Sequence, residues 1–165
     1  MKKLWGCETM SAHMSLSVSV GIVGAIATYV SGAWDTYNVW IGFIAWGAFL
    51  ALNNDMKNTI QSGVMGAVLA AVMFILAGKL GSAAWCLPVA VGLTVFALVW
   101  LTSMPMFTSA TTAVYTYAAT VGLVVGTGGD VASQSMDNPL VTVIVSIVLG
   151  CVFAMVANKV NETIS

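Results

Sequence analysis

Apolar positions along the chain fall into six runs that are separated by short polar or turn segments. No run has a polar face broad enough to lie along a membrane surface. A helix needs about 20 apolar residues to cross roughly 30 Å of hydrocarbon. The pattern therefore predicts an all-α integral membrane protein, with six transmembrane helices in a single polytopic domain covering residues 1–165. The predicted spans are residues 14–33, 37–53, 60–78, 83–103, 106–126 and 139–158.

The second run, WDTYNVWIGFIAWGAFLALNND from Trp34 to Asp55, has an unusual composition. Its apolar part is short for a span, and it is closed by two asparagines and an aspartate. It carries the aromatic residues Trp40, Phe43, Trp46 and Phe49. Gly42 and Gly47 lie among these rings, so a neighbouring helix can approach closely there.

Composition strengthens the membrane prediction and excludes one class of partner. The chain is 59% hydrophobic and only 7% charged, whereas a soluble domain has about 25% charged residues. Its net charge is −1, and its five basic residues are all lysines. A protein that binds nucleic acid needs a basic face to neutralise phosphates. We therefore expect the lipid bilayer as partner, and no nucleic acid.

The positions of the lysines predict an orientation. With six spans, one side of the membrane receives Lys2, Lys3, Lys57 and Lys159, and the other side receives only Lys79. Cytoplasmic segments are enriched in lysine and arginine. Both termini are therefore expected in the cytoplasm, and the first run is read as a retained span rather than a cleaved signal peptide.

Spans one to three and four to six can be read as a repeat. WIGFIAWGAFLAL in the second span aligns with TTAVYTYAATVGL in the fifth, with aromatic or small residues at several shared positions. Two halves of three spans each would make a 3+3 inverted repeat, an arrangement that in transporters places a solute path near the midplane. Apolar segments of low complexity also align by chance, so both interpretations stay open.

Hydroxyl groups make the fifth span the most polar. Thr108, Thr112, Thr116 and Thr120 recur every four residues, and Tyr115 adds a phenol near the same face. Such a stripe can replace water around a small neutral solute. Two structural interpretations compete with this one: the threonines can donate to the carbonyl four residues earlier, or they can bond to neighbouring helices.

In the second span, Phe43 and Trp46 lie near mid-membrane. They can form a constriction or stack on a planar solute, and ordinary core or lipid contact is the alternative. Since the aromatics step by three residues, they spiral round the helix and cannot all face one pore. The predicted solute-lining residues are Phe43, Trp46, Thr112, Tyr115 and Thr116.

Other chemistry finds little support in the sequence. No charge lies at mid-span, where it would mark an ion or proton path. One histidine and no paired carboxylates leave no triad, zinc motif or phosphate loop. We therefore expect no enzyme, cofactor or metal. The strongest metal alternative is a copper(I) site at Cys7, Met10, His13 and Met14, which a water-exposed N-terminus explains more simply.

The second span also carries a family resemblance. Its pattern W-x-G-F-x-x-W-x-x-F, formed by Trp40, Gly42, Phe43, Trp46 and Phe49, resembles the YcdZ-like bacterial inner-membrane proteins, family 1097 of the domains of unknown function. The resemblance continues through Pro105 and small residues to a last span with Gly150, covering about residues 21–157. It implies a small multi-pass protein of the bacterial inner membrane and supplies no activity and no functional residues.

These observations lead to two functional hypotheses. The first is a channel or facilitator for a small, mostly uncharged solute of about the size of urea, with its path between spans two and five. The alternative is a non-transporting accessory subunit that packs against partner membrane subunits through the glycine pairs Gly21/Gly24 and Gly63/Gly66. Because six short spans bury little by themselves, we expect a homo-oligomer in either case.

Overall fold

Six α-helices form the fold in a computed structural model that describes residues 11–165, and no strand occurs among those residues. The predicted helix count is confirmed. The helices are α1 (Ala12–Ala33), α2 (Val39–Ala51), α3 (Met56–Leu80), α4 (Cys86–Leu101), α5 (Ala110–Thr127) and α6 (Pro139–Ile164).

Capping residues fix where several helices begin. The Asn38 side chain accepts hydrogen bonds from the backbone of Trp40 and Ile41, so α2 starts two residues later than the predicted span. Asp55 accepts from the backbone N–H of Asn58 and starts α3 four residues before the predicted span. In both cases a polar side chain satisfies N–H groups that have no partner within the helix.

The helices differ in their capacity to cross a membrane. Three of them, α1, α3 and α6, are long and apolar enough to do so, which indicates a membrane protein. The apolar helices α2 and α4 are shorter. With 13 residues, α2 is about 20 Å long at 1.5 Å per residue.

Hydrogen bonds between helix ends show that successive helices run in alternating directions. At one end of the bundle, called the Lys57 end after the start of α3, Asn158 donates to Asn54 at 3.2 Å and Ser15 donates to Asn161 at 2.7 Å. At the opposite Lys79 end, the Asn38 backbone donates to Ser146 at 2.9 Å. The described lysines divide two to one between these ends, with Lys57 and Lys159 at the first.

The two halves of the chain pack in the same way. The closest partners are α3 with α5 and α2 with α6, and exchanging the halves converts one pair into the other. The outer pairs, α1 with α6 and α4 with α3, are related likewise. Thus α3 and α6 lie at the centre, α2 and α5 cover them, and α1 and α4 form the flanks.

Burial largely follows the same equivalence. The buried residues of α1 match those of α4 at a constant offset in numbering, and five of the seven buried residues of α2 match buried residues of α5 at the same offset. This is the offset at which the two sequence segments align. Equivalent pairs include Ser15 and Cys86, Ser19 and Ala90, Val23 and Thr94, Ala27 and Leu98, Ile41 and Thr112, Gly42 and Ala113, Trp46 and Tyr117, and Phe49 and Thr120.

Helices α3 and α6 match with a different offset, because α5 is longer than α2 and the α5–α6 connection is longer than the α2–α3 connection. Equivalent pairs here include Thr59 and Val143, Ser62 and Ser146, Gly66 and Gly150, and Ala70 and Ala154. One tertiary hydrogen bond is repeated as well: Ser62 accepts from the backbone of Ser109 at 3.3 Å, as Ser146 does from Asn38. Asn38 and Ser109 are the caps of α2 and α5, which begin at opposite ends of the bundle.

Candidate functional site: the seam between α2 and α5

The predicted aromatic residues of α2 point away from α5. Trp46 is buried in a cluster with Val23 of α1 and Cys151 and Ala154 of α6, and no residue of α5 belongs to that cluster. The half-buried Phe43 packs against the same cluster and lies beside Gly24 of α1. Both rings are therefore engaged in packing α2 onto α1 and α6.

The predicted threonines of α5 lie on its buried face. The Thr116 hydroxyl donates to the carbonyls of Thr112 and Ala113, at 3.0 and 3.1 Å. Thr112 pairs its hydroxyl with that of Ser109 at 2.8 Å, and Thr120 donates to the Thr116 carbonyl at 2.7 Å. These hydroxyls are satisfied within α5, as in the structural interpretation of the stripe.

Tyr115 is the predicted residue whose equivalent in the other half lies at the seam between α2 and α5. Its side chain is 52% exposed. It is the equivalent of Ile44 in the other half, and Ile44 lines a cleft between α2 and α5. The structure thus places Tyr115 apart from the pair Thr112 and Thr116, and apart from the pair Phe43 and Trp46.

This cleft has a volume of about 410 Å³ and opens at the Lys79 end. Its walls are mainly apolar, and its polar side chains, Asn38 and Thr127, are both at helix ends. A Cβ atom added at Gly122 or Gly126 would meet nothing within 4 Å, so these glycines leave the α5 wall open. The lining residues are Asn38, Trp40, Ile41, Ile44, Ala119, Gly122, Leu123, Gly126 and Thr127.

The glycines of α5 are the part of this cleft that the sequence prediction missed. Gly122 and Gly126 lie four residues apart on the helix. Such spacing of small residues marks a helix face that can approach or accommodate another group. The hydroxyl stripe drew attention to the neighbouring face of the same helix.

Other predicted groups occupy different places. Gly63 faces Ile147 and Thr116, and Gly66 faces Ala113 and Thr116, so this pair is used within the chain rather than as an outer surface. A Cβ at Gly21 would meet nothing within 4 Å.

His13 is exposed in the first turn of α1, whereas Cys7 and Met10 lie outside the described residues. Within residues 11–165, no three His, Cys, Asp or Glu side chains are grouped so that they could hold a metal ion.

Comparison with known proteins confirms the family resemblance. No curated protein and no solved structure matches the chain. The family model described as "Protein of unknown function (DUF1097)" matches residues 17–161, which include part or all of each of the six helices. The chain belongs to the DUF1097 family.

Proposed function

We propose that this protein is a channel or facilitator for a small, mostly uncharged solute in the inner membrane of a bacterium. In this proposal all six helices cross the bilayer, both termini are cytoplasmic, and the two halves form a 3+3 inverted repeat. The alternating directions of the helices support this topology. The Lys57 end would then face the cytoplasm, since it holds two of the three described lysines.

The short helix α2 is compatible with a membrane crossing. It is followed by the polar residues Asn53, Asn54 and Asp55 and preceded by Asn38. Near a short span the bilayer thins, or flanking residues reach to the interface, at a cost of fractions of a kcal/mol per Å of mismatch. The exposed Trp40 at the start of α2 suits that interface.

The observation that carries the proposal is the cleft between α2 and α5. It lies along the seam where two equivalent helices of the repeat meet, which is where solute paths of inverted-repeat transporters occur. Its apolar walls would exclude ions, because an ion loses its hydration there without receiving a charged partner. A small neutral molecule loses far less hydration free energy when it enters the cleft. On the cytoplasmic half of the seam, Tyr115 would take the place that Ile44 takes on the outer half.

A swelling assay with proteoliposomes tests this function. Vesicles containing the purified protein are exposed to urea, acetamide and glycerol, and we expect at least one solute to enter faster than it enters empty vesicles. Substitution Gly122→Trp places a large ring in open space in the cleft, and it should reduce entry to the rate of empty vesicles.

Gly92→Trp is the matched control. Gly92 also lies in a helix with open space around its Cβ position, but on α4, outside the cleft. Permeability should therefore be retained in Gly92→Trp. Entry rates equal to those of empty vesicles for every solute, or equal losses in both variants, would contradict the proposal.

A further inference from the structure

A second cavity, separate from the α2–α5 cleft, lies at the Lys57 end between the start of α3 and the α4–α5 connection. Its volume is about 560 Å³, within the range of about 300–1,000 Å³ that is typical of small-molecule sites. Five of its seven lining residues are polar, in contrast to the cleft. The lining residues are Asp55, Lys57, Asn58, Gln61, Pro105, Met106 and Thr108.

One of these residues, Asn58, forms hydrogen bonds that connect two walls of the cavity. The Asn58 side chain accepts from the Ser62 hydroxyl at 3.0 Å and donates to Thr108. It therefore ties α3 to the segment before α5. Ser62 in turn accepts from the Ser109 backbone, which extends the connection to the start of α5. The wall formed by Asn58 and Thr108 is thus fixed before any ligand arrives.

The charged groups of the cavity are not satisfied by each other. Asp55 accepts one hydrogen bond, from the Asn58 backbone at 3.0 Å, which leaves its second carboxylate oxygen available. Within residues 11–165 the ion pair that occurs joins Lys159 and Glu162, so neither Asp55 nor Lys57 has a charged partner there. Both residues line the cavity and are solvent-exposed, so one anion and one cation are available at its mouth.

These polar residues are not repeated in the second half of the chain, although Asp55 also caps α3. In the second half of the chain, the positions equivalent to Asp55, Lys57 and Gln61 are Pro139, Val141 and Val145. The repeat is kept at the buried positions between these, such as Thr59 and Val143. The charge of Lys57 is also unfavourable for α3, because Lys57 lies in the first turn, at the positive end of the helix dipole. Local rules broken at one place, while the surrounding packing is kept, are expected at functional or strained positions.

We propose that this cavity binds a small zwitterion of the amino-acid type. The ligand's ammonium group would lie against the Asp55 carboxylate and its carboxylate against the Lys57 ammonium. Gln61 can add a hydrogen bond to either group, and Pro105 and Met106 offer an apolar wall for a short side chain. A ligand with a single charge would satisfy only one of the two protein charges.

This site goes beyond the proposed facilitator and stands independently of it. Its residues do not line the cleft between α2 and α5. Binding can be measured without any transport, so a failed swelling assay and a failed binding assay are separate results.

Equilibrium dialysis of radiolabelled L-alanine against the full chain in detergent tests the site. Propionate lacks the ammonium group of L-alanine, ethylamine lacks the carboxylate, and propionamide is neutral. We expect saturable binding of L-alanine, with each of the three analogues competing at least about tenfold more weakly because one or both charged contacts are lost.

Variants of the two charges complete the test. Asp55→Asn keeps the cap of α3, because asparagine caps helices as well as aspartate does, and Lys57→Gln removes only an exposed charge. Each should lower the affinity for L-alanine about tenfold. Lys159→Gln, at the same end but outside the cavity, should bind as the unchanged protein does. No saturable binding, equal competition by propionamide, or unaltered affinity in both cavity variants would overturn the proposal.

Discussion

At the scale of single residues, two glycines control the closest helix contacts. A Cβ atom at Gly66 would clash with the Ala113 carbonyl oxygen of α5, and a Cβ at Gly150 would clash with the Gly42 carbonyl oxygen of α2. Both obstacles are backbone atoms, which cannot rotate away as the end of a side chain can. These glycines are equivalents in the repeat, so each half depends on the same small residue for its main contact.

Gly66→Ala should therefore destabilise the protein substantially. The added methyl group forces α3 and α5 apart, and overpacking of this kind costs about 1–3 kcal/mol or more. Gly150→Ala should have an effect of similar size through α2 and α6. The apparent melting temperature of the protein in detergent, followed by circular dichroism, measures both.

Gly92→Ala is the comparison for these two variants. Nothing lies within 4 Å of a Cβ at Gly92, and alanine favours a helix over glycine by about 1 kcal/mol. Its melting temperature should be unchanged or higher. Equal melting temperatures for Gly66→Ala and Gly92→Ala would show that the α3–α5 contact is looser than the structure indicates.

The same contacts explain why the site prediction was only partly informative. The sequence showed that threonines recur along α5, but not which partner that face would meet. The answer depends on Gly63 and Gly66, which are distant in sequence and bring α3 against Thr116. Phe43 and Trp46 are a similar case. Their rings pack against α1 and α6, and the sequence pattern of α2 does not show that these two helices lie beside it.

At the scale of helices, the caps connect each half to the other. The backbone N–H of Ser109, the cap of α5, donates to Ser62 of α3, and that of Asn38, the cap of α2, donates to Ser146 of α6. Both serines are fully buried. An N–H that loses such a partner has no water to replace it, which makes these hydrogen bonds costly to remove.

Ser62→Ala and Ser146→Ala should accordingly each destabilise the protein by about 1–3 kcal/mol, the cost of a buried unsatisfied donor. The repeat predicts that the two losses are similar. Thermal unfolding in detergent is again the measurement, and Ser17→Ala is the control, because the exposed Ser17 hydroxyl bonds only within its own helix at 2.8 Å. A much larger loss in one serine variant than in the other would argue against equivalent roles.

Helix existence was predictable at this scale, whereas helix ends were not. The apolar runs located all six helices because lipid-compatible segments are long and uninterrupted. Their limits depend on side chains such as Asn38 and Asp55, whose capping a hydropathy pattern does not register. Similarly, α6 continues to Ile164 through polar residues that lie beyond its apolar run.

At the scale of the whole molecule, the structure extends a sequence alignment of two segments into an equivalence of complete halves. The alignment alone could not exclude chance, because any two apolar segments share residue types. Packing is more discriminating, since it shows whether both residues of a pair are buried. Two differences between the halves then become clear: the α5–α6 connection is longer than the α2–α3 connection, and Pro139 and Val141 stand at the positions equivalent to Asp55 and Lys57.

The orientation of the molecule gives the last prediction. Because Lys57 and Lys159 lie at one end and Lys79 at the other, we expect the Lys79 end to face the periplasm. Single cysteines are introduced at the exposed positions Ser82, Gln134 and Ser103 in a variant without Cys7, Cys86 and Cys151. In intact bacterial cells, a membrane-impermeant maleimide should label Ser82→Cys and Gln134→Cys, which lie in the α3–α4 and α5–α6 connections. Ser103→Cys, beyond the other end of α4, should react only after the membrane is permeabilised.

Labelling of Ser103→Cys alone in intact cells would reverse the orientation, and equal labelling of all three positions would mean that the protein inserts both ways.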